Sequence, residues 1–106
     1  MPEFKFEEVK PMNKNFFMLP NEIFKYKLKP RDFTVLACLV KHSESDYTCF
    51  PSYRTIAKEC SISQKTVSQA LKVLSNKRLI KILNRKRDDG SKSSNLYHII
   101  FLNAKK

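Results

Sequence analysis

Lys65, Ser68, Gln69 and Lys72 stand at i, i+3, i+4 and i+7, a spacing that gathers four side chains on one face of an α-helix. Their shared chemistry is hydrogen bonding to a patterned anionic surface. Gln presents a donor beside an acceptor, as an adenine edge requires. Lys donates to guanine acceptors or to phosphate, and Ser is a short hydroxyl that permits close approach. Gln64 and Thr66 flank this stripe at the expected helix start, where unpaired backbone N–H groups and the positive dipole end suit a phosphate. Gln64, Lys65, Ser68, Gln69 and Lys72 are therefore the candidate base-reading residues.

Other chemistry finds less support. Cys38, Cys49 and Cys60 are odd in number and contain no C-x-x-C pair, so neither a disulfide framework nor a zinc ribbon is expected. Cys38 and Cys60 fall on apolar helix faces, where free Cys behaves as a small hydrophobe. His42 and His98 are read as a solvated helix end and a strand residue, without a ligand set around them. No nucleophile, base and orienting residue can be assembled, and no phosphate loop is present. The expectation is a non-enzyme with no metal, no cofactor and no small-molecule ligand.

The stripe needs a helix to carry it, and that helix needs a core. Val67, Ala70, Leu71 and Leu74 repeat the same spacing two residues away from the polar stripe, about 200° around the helix, so the polar stripe faces outward. Ser63 stands where the N-cap should be, and the helix is expected over about 64–77. A second helix carries Tyr53, Ile56, Ala57 and Cys60 behind Pro51 and Ser52, with Ser52 as its N-cap. A first helix carries Phe33, Leu36, Ala37 and Val40, with Pro30 in its opening turn. The second and third are joined by Ser61-Ile62-Ser63 alone, the proportion of a helix-turn-helix unit. In that arrangement the second helix crosses the nucleic-acid backbone, which makes Ser52, Tyr53, Arg54, Ser63 and Thr66 phosphate candidates.

Beyond Lys77-Arg78 the character changes to β. Leu79 to Leu83 and Leu96 to Leu102 are apolar, β-prone runs, and Asp89-Gly90 between them signals a hairpin turn. From Ser61 to Arg87 there is no Asp or Glu, whereas a solvated face ordinarily mixes signs. The hairpin, a wing over 81–95, is expected to lay Arg85, Lys86, Arg87 and Lys92 on a sugar-phosphate backbone. At the other end, residues 1–14 show no sustained period and read as a flexible arm. Phe16 to Leu19 suggests a short strand followed by a turn through Asn21 to Phe24. The folded domain is expected over 15–103.

These elements make a mainly α fold with a small β-hairpin, a winged helix-turn-helix built as a three-helix bundle plus wing. Twenty-one Lys and Arg against ten Asp and Glu, a net charge of +11 over 106 residues, call for a polyanionic partner. No apolar run approaches a bilayer span and no signal-peptide core opens the chain. A cytoplasmic protein with double-stranded DNA as partner, no membrane, and a homodimer as candidate assembly is the expectation. The alternatives are a protein-interaction winged helix, which should expose apolar anchors on the third helix, and a non-specific nucleic-acid binder. RNA binding would use exposed aromatic residues, but Tyr47, Phe50 and Tyr97 have neighbours that suggest core roles.

The run Cys49 to Lys58, Ser63 to Val67 and Leu74 to Ile80, led by Phe16 to Phe24, resembles the helix-turn-helix family of bacterial plasmid, phage and conjugative-element proteins, including replication initiator protein A-like chains. The resemblance covers residues 15 to 102. It implies a winged helix, sequence-specific DNA binding in transcriptional regulation or in replication of a mobile element, and recognition by Gln64, Lys65, Ser68, Gln69 and Lys72. One departure stands out: relatives often carry Gly at the inter-helix turn, where this chain has Ser61.

Overall fold

Pro30 opens α1 (Pro30–His42) at a position where its missing N–H leaves no hydrogen bond unmade. Ser52 caps α2 (Tyr53–Cys60) by accepting from the Thr55 N–H at 3.1 Å, and Ser63 caps α3 (Gln64–Asn76) through Thr66 in the same way. These assignments come from a computed structural model that describes residues 16–83 and 95–103. The three helices pack on one another around Leu36, Leu39, Ile56, Val67, Leu71 and Leu74, all withdrawn from water.

Val67, Ala70, Leu71 and Leu74 are the buried set of α3, as their spacing predicts. On α1 the buried stripe is different. Asp32, Val35 and Leu39 are buried, while Phe33 and Ala37 are only half-buried. The cause is that α1 packs against both α2 and α3, so its buried arc is wider than one stripe and centres on Val35 and Leu39.

A three-stranded antiparallel sheet closes the core. Its strands are β1 (Thr48–Cys49), β2 (Lys81–Leu83) and β3 (Leu96–His98), in the order β1-β3-β2. Cys49 and Ile82 both stand opposite Tyr97, and direct partners share a face; this row covers the core, with Tyr97 fully buried. Thr48, Lys81 and His98 form the outer row. β1 adds a strand to the expected hairpin; two residues are too few to show an alternation.

Three sequence expectations need correction. Phe16 to Pro20 form no strand, since both outer strands of the sheet pair with β3 and none pairs with this segment; the turn after it is a 3-10 helix, Asn21–Tyr26. The run from Leu96 to Leu102 is not one strand: it leaves the sheet after His98 and ends in the short helix α4 (Ile100–Asn103). Ile99 N–H donates to the Tyr47 carbonyl at 2.8 Å and Phe101 N–H to the Leu79 carbonyl at 3.1 Å, which turns the chain onto the bundle. Phe50 is 56% exposed and so is no core residue, whereas Tyr97 is, and Tyr47 packs against the core.

Candidate nucleic-acid interface

The turn between α2 and α3 determines where α3 points. Ser61 takes the left-handed conformation, φ 58° and ψ 43°, and Ile62 N–H donates to the Ala57 carbonyl at 3.0 Å. Such a closure ends a helix by satisfying its last carbonyls. Ile62 then packs against the core, and Ser63 starts α3 at once. Ala57 is buried, consistent with two helices meeting at a sharp angle over a small side chain.

On the opposite side of α3, Gln64, Lys65, Gln69 and Lys72 are exposed and Ser68 is half-buried. The base-reading candidates therefore share one face and reach solvent together. No large exposed hydrophobic side chain lies on α3, so the apolar anchors of a protein-docking helix are missing from this face. The acidic residues Glu44, Asp46 and Glu59 belong to the β1 loop and the end of α2, and α3 itself carries none.

The phosphate candidates divide. Arg54 is exposed on the first turn of α2. Tyr53 is half-buried against the core. The Ser52 and Ser63 hydroxyls serve as caps and are further hydrogen-bonded to the Thr55 and Thr66 hydroxyls at 3.0 and 2.9 Å; at those helix starts the backbone N–H groups, rather than the hydroxyls, are the donors to offer. Arg85, Lys86, Arg87 and Lys92 lie outside the described residues, as does the tip of the expected wing at Asp89-Gly90 and the arm over 1–14. Of the wing, β2 and its pairing with β3 are in place.

Arg31 joins this site although nothing in the linear pattern points to it. Its Nη1 donates to the Gln69 Oε1 at 3.3 Å and its Nε donates to Asp32 Oδ1 at 2.9 Å. Asp32 is buried at 1% exposure, so Arg31 neutralises an interior carboxylate with one edge of its guanidinium and reaches a candidate base-reading residue with the other. The two residues are 38 positions apart, and only the packing of α1 on α3 brings them together.

A second grouping lies on the α1–α2 side, away from the α3 stripe. Cys38, His42 and Glu59 present one sulfur, one ring nitrogen and one carboxylate oxygen within 4.8 Å of one another. The reading of His42 as a solvated helix end without ligands nearby is corrected here: its Nε2 lies 2.9 Å from Glu59 Oε1, and the Cys38 Sγ donates to that same oxygen at 3.3 Å. Lys41 holds the other carboxylate oxygen, Oε2, at 3.2 Å. Burial would raise Glu59, but the hydrogen bonds from His42, Cys38 and Lys41 outweigh it and hold its carboxyl at about 2. The Cys38 thiol is pushed well above the usual thiol range, chiefly by burial. Cys38 and His42 are four apart on one helix, a signal that was available in the sequence; Glu59 was not, since it comes from another element.

Three helices, a short inter-helix turn, an outward polar stripe on the third helix and an antiparallel sheet after it define a winged helix-turn-helix. Residues 26–80 match the family described as the helix-turn-helix domain, and the chain belongs to that family. Its class is therefore that of DNA-binding helix-turn-helix domains. Among solved structures, a possible transcriptional regulator from Methanosarcina mazei Go1 is similar in fold, with a TM-score of 0.54 and 18% identity over 80% of this chain and 74% of that one. Comparison with curated proteins gives no match. Among the described residues, no helix is long and apolar enough to cross a membrane.

Proposed function

We propose that this domain binds double-stranded DNA sequence-specifically as a transcriptional regulator, with α3 in the major groove and Gln64, Lys65, Ser68, Gln69 and Lys72 toward the base edges. The observation that carries this reading is the outward face of α3: polar and cationic, free of acidic residues, and without an exposed apolar anchor. The net charge of +11 supplies attraction to any duplex, and the α3 side chains supply discrimination. Arg54 and the backbone N–H groups opening α2 and α3 contact phosphates, and the basic wing, with Arg85, Lys86, Arg87 and Lys92, lies on the backbone beside the groove. The regulatory role is supported by the similarity in fold to a possible transcriptional regulator. Replication of a mobile element is the second reading and rests on the sequence resemblance alone.

One short helix reads only a few base pairs, so a homodimer over two half-sites belongs to the same proposal. The test is selection from a pool of random duplexes at near-physiological salt. An enriched inverted repeat supports a symmetric regulator, and tandem copies of one short site support the replication reading. Absence of any enrichment overturns sequence-specific binding.

A further inference from the structure

Cys38 and His42 lie one turn apart on α1, and Glu59 faces both from the end of α2, with Cys60 following it in sequence. The Cys60 sulfur is engaged elsewhere, donating to the Thr34 carbonyl at 3.7 Å. Thiolate, imidazole and carboxylate are the donor types that a zinc-class ion takes. At the bond lengths such an ion forms, a tetrahedral set has ligand atoms about 3.3–3.7 Å apart. Glu59 Oε1 already stands 3.3 Å from the Cys38 Sγ and 2.9 Å from the His42 Nε2, and the three ligand atoms span no more than 4.8 Å. Small side-chain adjustments therefore suffice to admit an ion between them.

We propose that Cys38, His42 and Glu59 form a binding site for a divalent transition-metal ion of the zinc class, bridging α1 and α2, with water completing the coordination. Glu59 ligates through Oε1, while Lys41 keeps its hold on Oε2 and orients the carboxylate. Such an outer partner is a common device around a metal. The Cys38 proton passes to solvent on binding, so affinity rises with pH. The ion pins the last turn of α2 to α1 immediately before Ser61, the residue whose left-handed turn sets the direction of α3. This ties metal occupancy to the stability of the helix pair.

The site lies apart from the outward face of α3, so its test needs no DNA and is independent of the DNA-binding reading. The reduced full-length chain is titrated with cobalt(II) alone under anaerobic conditions. The expected result is one equivalent bound, with a thiolate-to-cobalt charge-transfer band, the visible bands of four-coordinate cobalt, and a rise in melting temperature. His42→Gln and Glu59→Gln, both at partly exposed side chains, should leave the fold intact and weaken cobalt binding by more than the roughly tenfold that losing an outer partner of a ligand costs. Cys38→Ser should abolish the charge-transfer band, and Cys49→Ala should retain it, since Cys49 lies in β1 within the core. Absence of the band with cobalt in excess overturns the proposal and leaves an ion-pair cluster of Lys41, His42 and Glu59. So does a band that survives loss of Cys38.

Discussion

Removing the Arg31 guanidinium should weaken DNA binding through Gln69, and the structure allows the size of that coupling to be worked out. A Gln that pairs with adenine offers Oε1 and Nε2 together, and truncating it to Ala should cost about 1–3 kcal/mol on a matched site. Arg31 Nη1 occupies one lone pair of Oε1 at 3.3 Å, which leaves the second lone pair and both amide N–H bonds for the base. Its contribution is to hold the Gln69 head group before DNA arrives. Immobilising one rotamer-rich side chain costs about 0.5–1.5 kcal/mol at an interface. The contact is long and exposed, so the lower half of that range, about 0.5–1 kcal/mol, is expected as coupling between Arg31 and Gln69. Arg31→Met, Gln69→Ala and the double variant form the cycle. Fluorescence anisotropy would be measured on a selected duplex and on one with the contacted base pair changed, at fixed salt. Loss of the Arg31 charge lowers affinity for both duplexes, whereas loss of positioning is confined to the matched one. Arg31→Met also strips the partner from buried Asp32, and titrations must therefore be made well below the melting temperature. A stability loss of roughly 1–2 kcal/mol is expected, less than for a wholly buried pair because the Arg31 side chain keeps 33% of its surface in water. Equal effects of Arg31→Met in the parent chain and in the Gln69→Ala variant, within about 0.3–0.5 kcal/mol, would refute the positioning role.

Three further outcomes follow from the backbone and the core. Ser61 holds φ 58°, a conformation that costs an L-residue about 1–2 kcal/mol, and glycine forfeits about 0.5–1 kcal/mol in the unfolded chain; Ser61→Gly should therefore stabilise by about 0.5–1 kcal/mol in urea denaturation, and a loss of stability would mean that the Ser61 side chain makes a stabilising contact. The Tyr97 hydroxyl is buried without a well-formed hydrogen bond among the described residues, the Asn95 side chain being only a weak polar neighbour, so Tyr97→Phe should leave stability unchanged or raise it by up to about 1 kcal/mol. Burial pushes that hydroxyl well above the tyrosine value of 10.0. Its contribution is complete below pH 10 and is lost as pH rises above it, because the unfolded chain then gives up the proton that the native state retains. A pH titration of stability should show this alkaline decline in the parent chain and a shallower one in Tyr97→Phe.

The chain holds a single glycine, Gly90, yet Lys27, Tyr47, Ser61 and Arg78 all adopt positive φ. Of these, Ser61 was legible as a left-handed corner only through the resemblance, since relatives often carry Gly at that turn; the spacing of the two capped helices showed no more than that three residues join them. The α3 stripe was legible from the residues themselves. One helix with an apolar face must turn its other face to water, so residue spacing alone separates Val67, Ala70, Leu71 and Leu74 from Lys65, Gln69 and Lys72. On α1 the same logic picked a stripe too narrow, since a helix packed against two neighbours buries more than one face.

Local terms thus determined the elements of this protein from its sequence: Ser52 and Ser63 cap helices whatever surrounds them, and Pro30 can only begin one. The excess of basic residues likewise depends on composition and not on folding. What the tertiary structure alone decided are the meetings between elements. β1 exists because the edge of β3 that β2 leaves open needed a partner. Phe16 to Leu19 pairs with no strand of the sheet. Arg31 reaches Gln69, and Glu59 reaches Cys38 and His42, only because the α1 axis passes both α3 and α2. Contacts of this kind depend on where whole helices lie, which is set by the sum of the core packing and not by any residue's own preference.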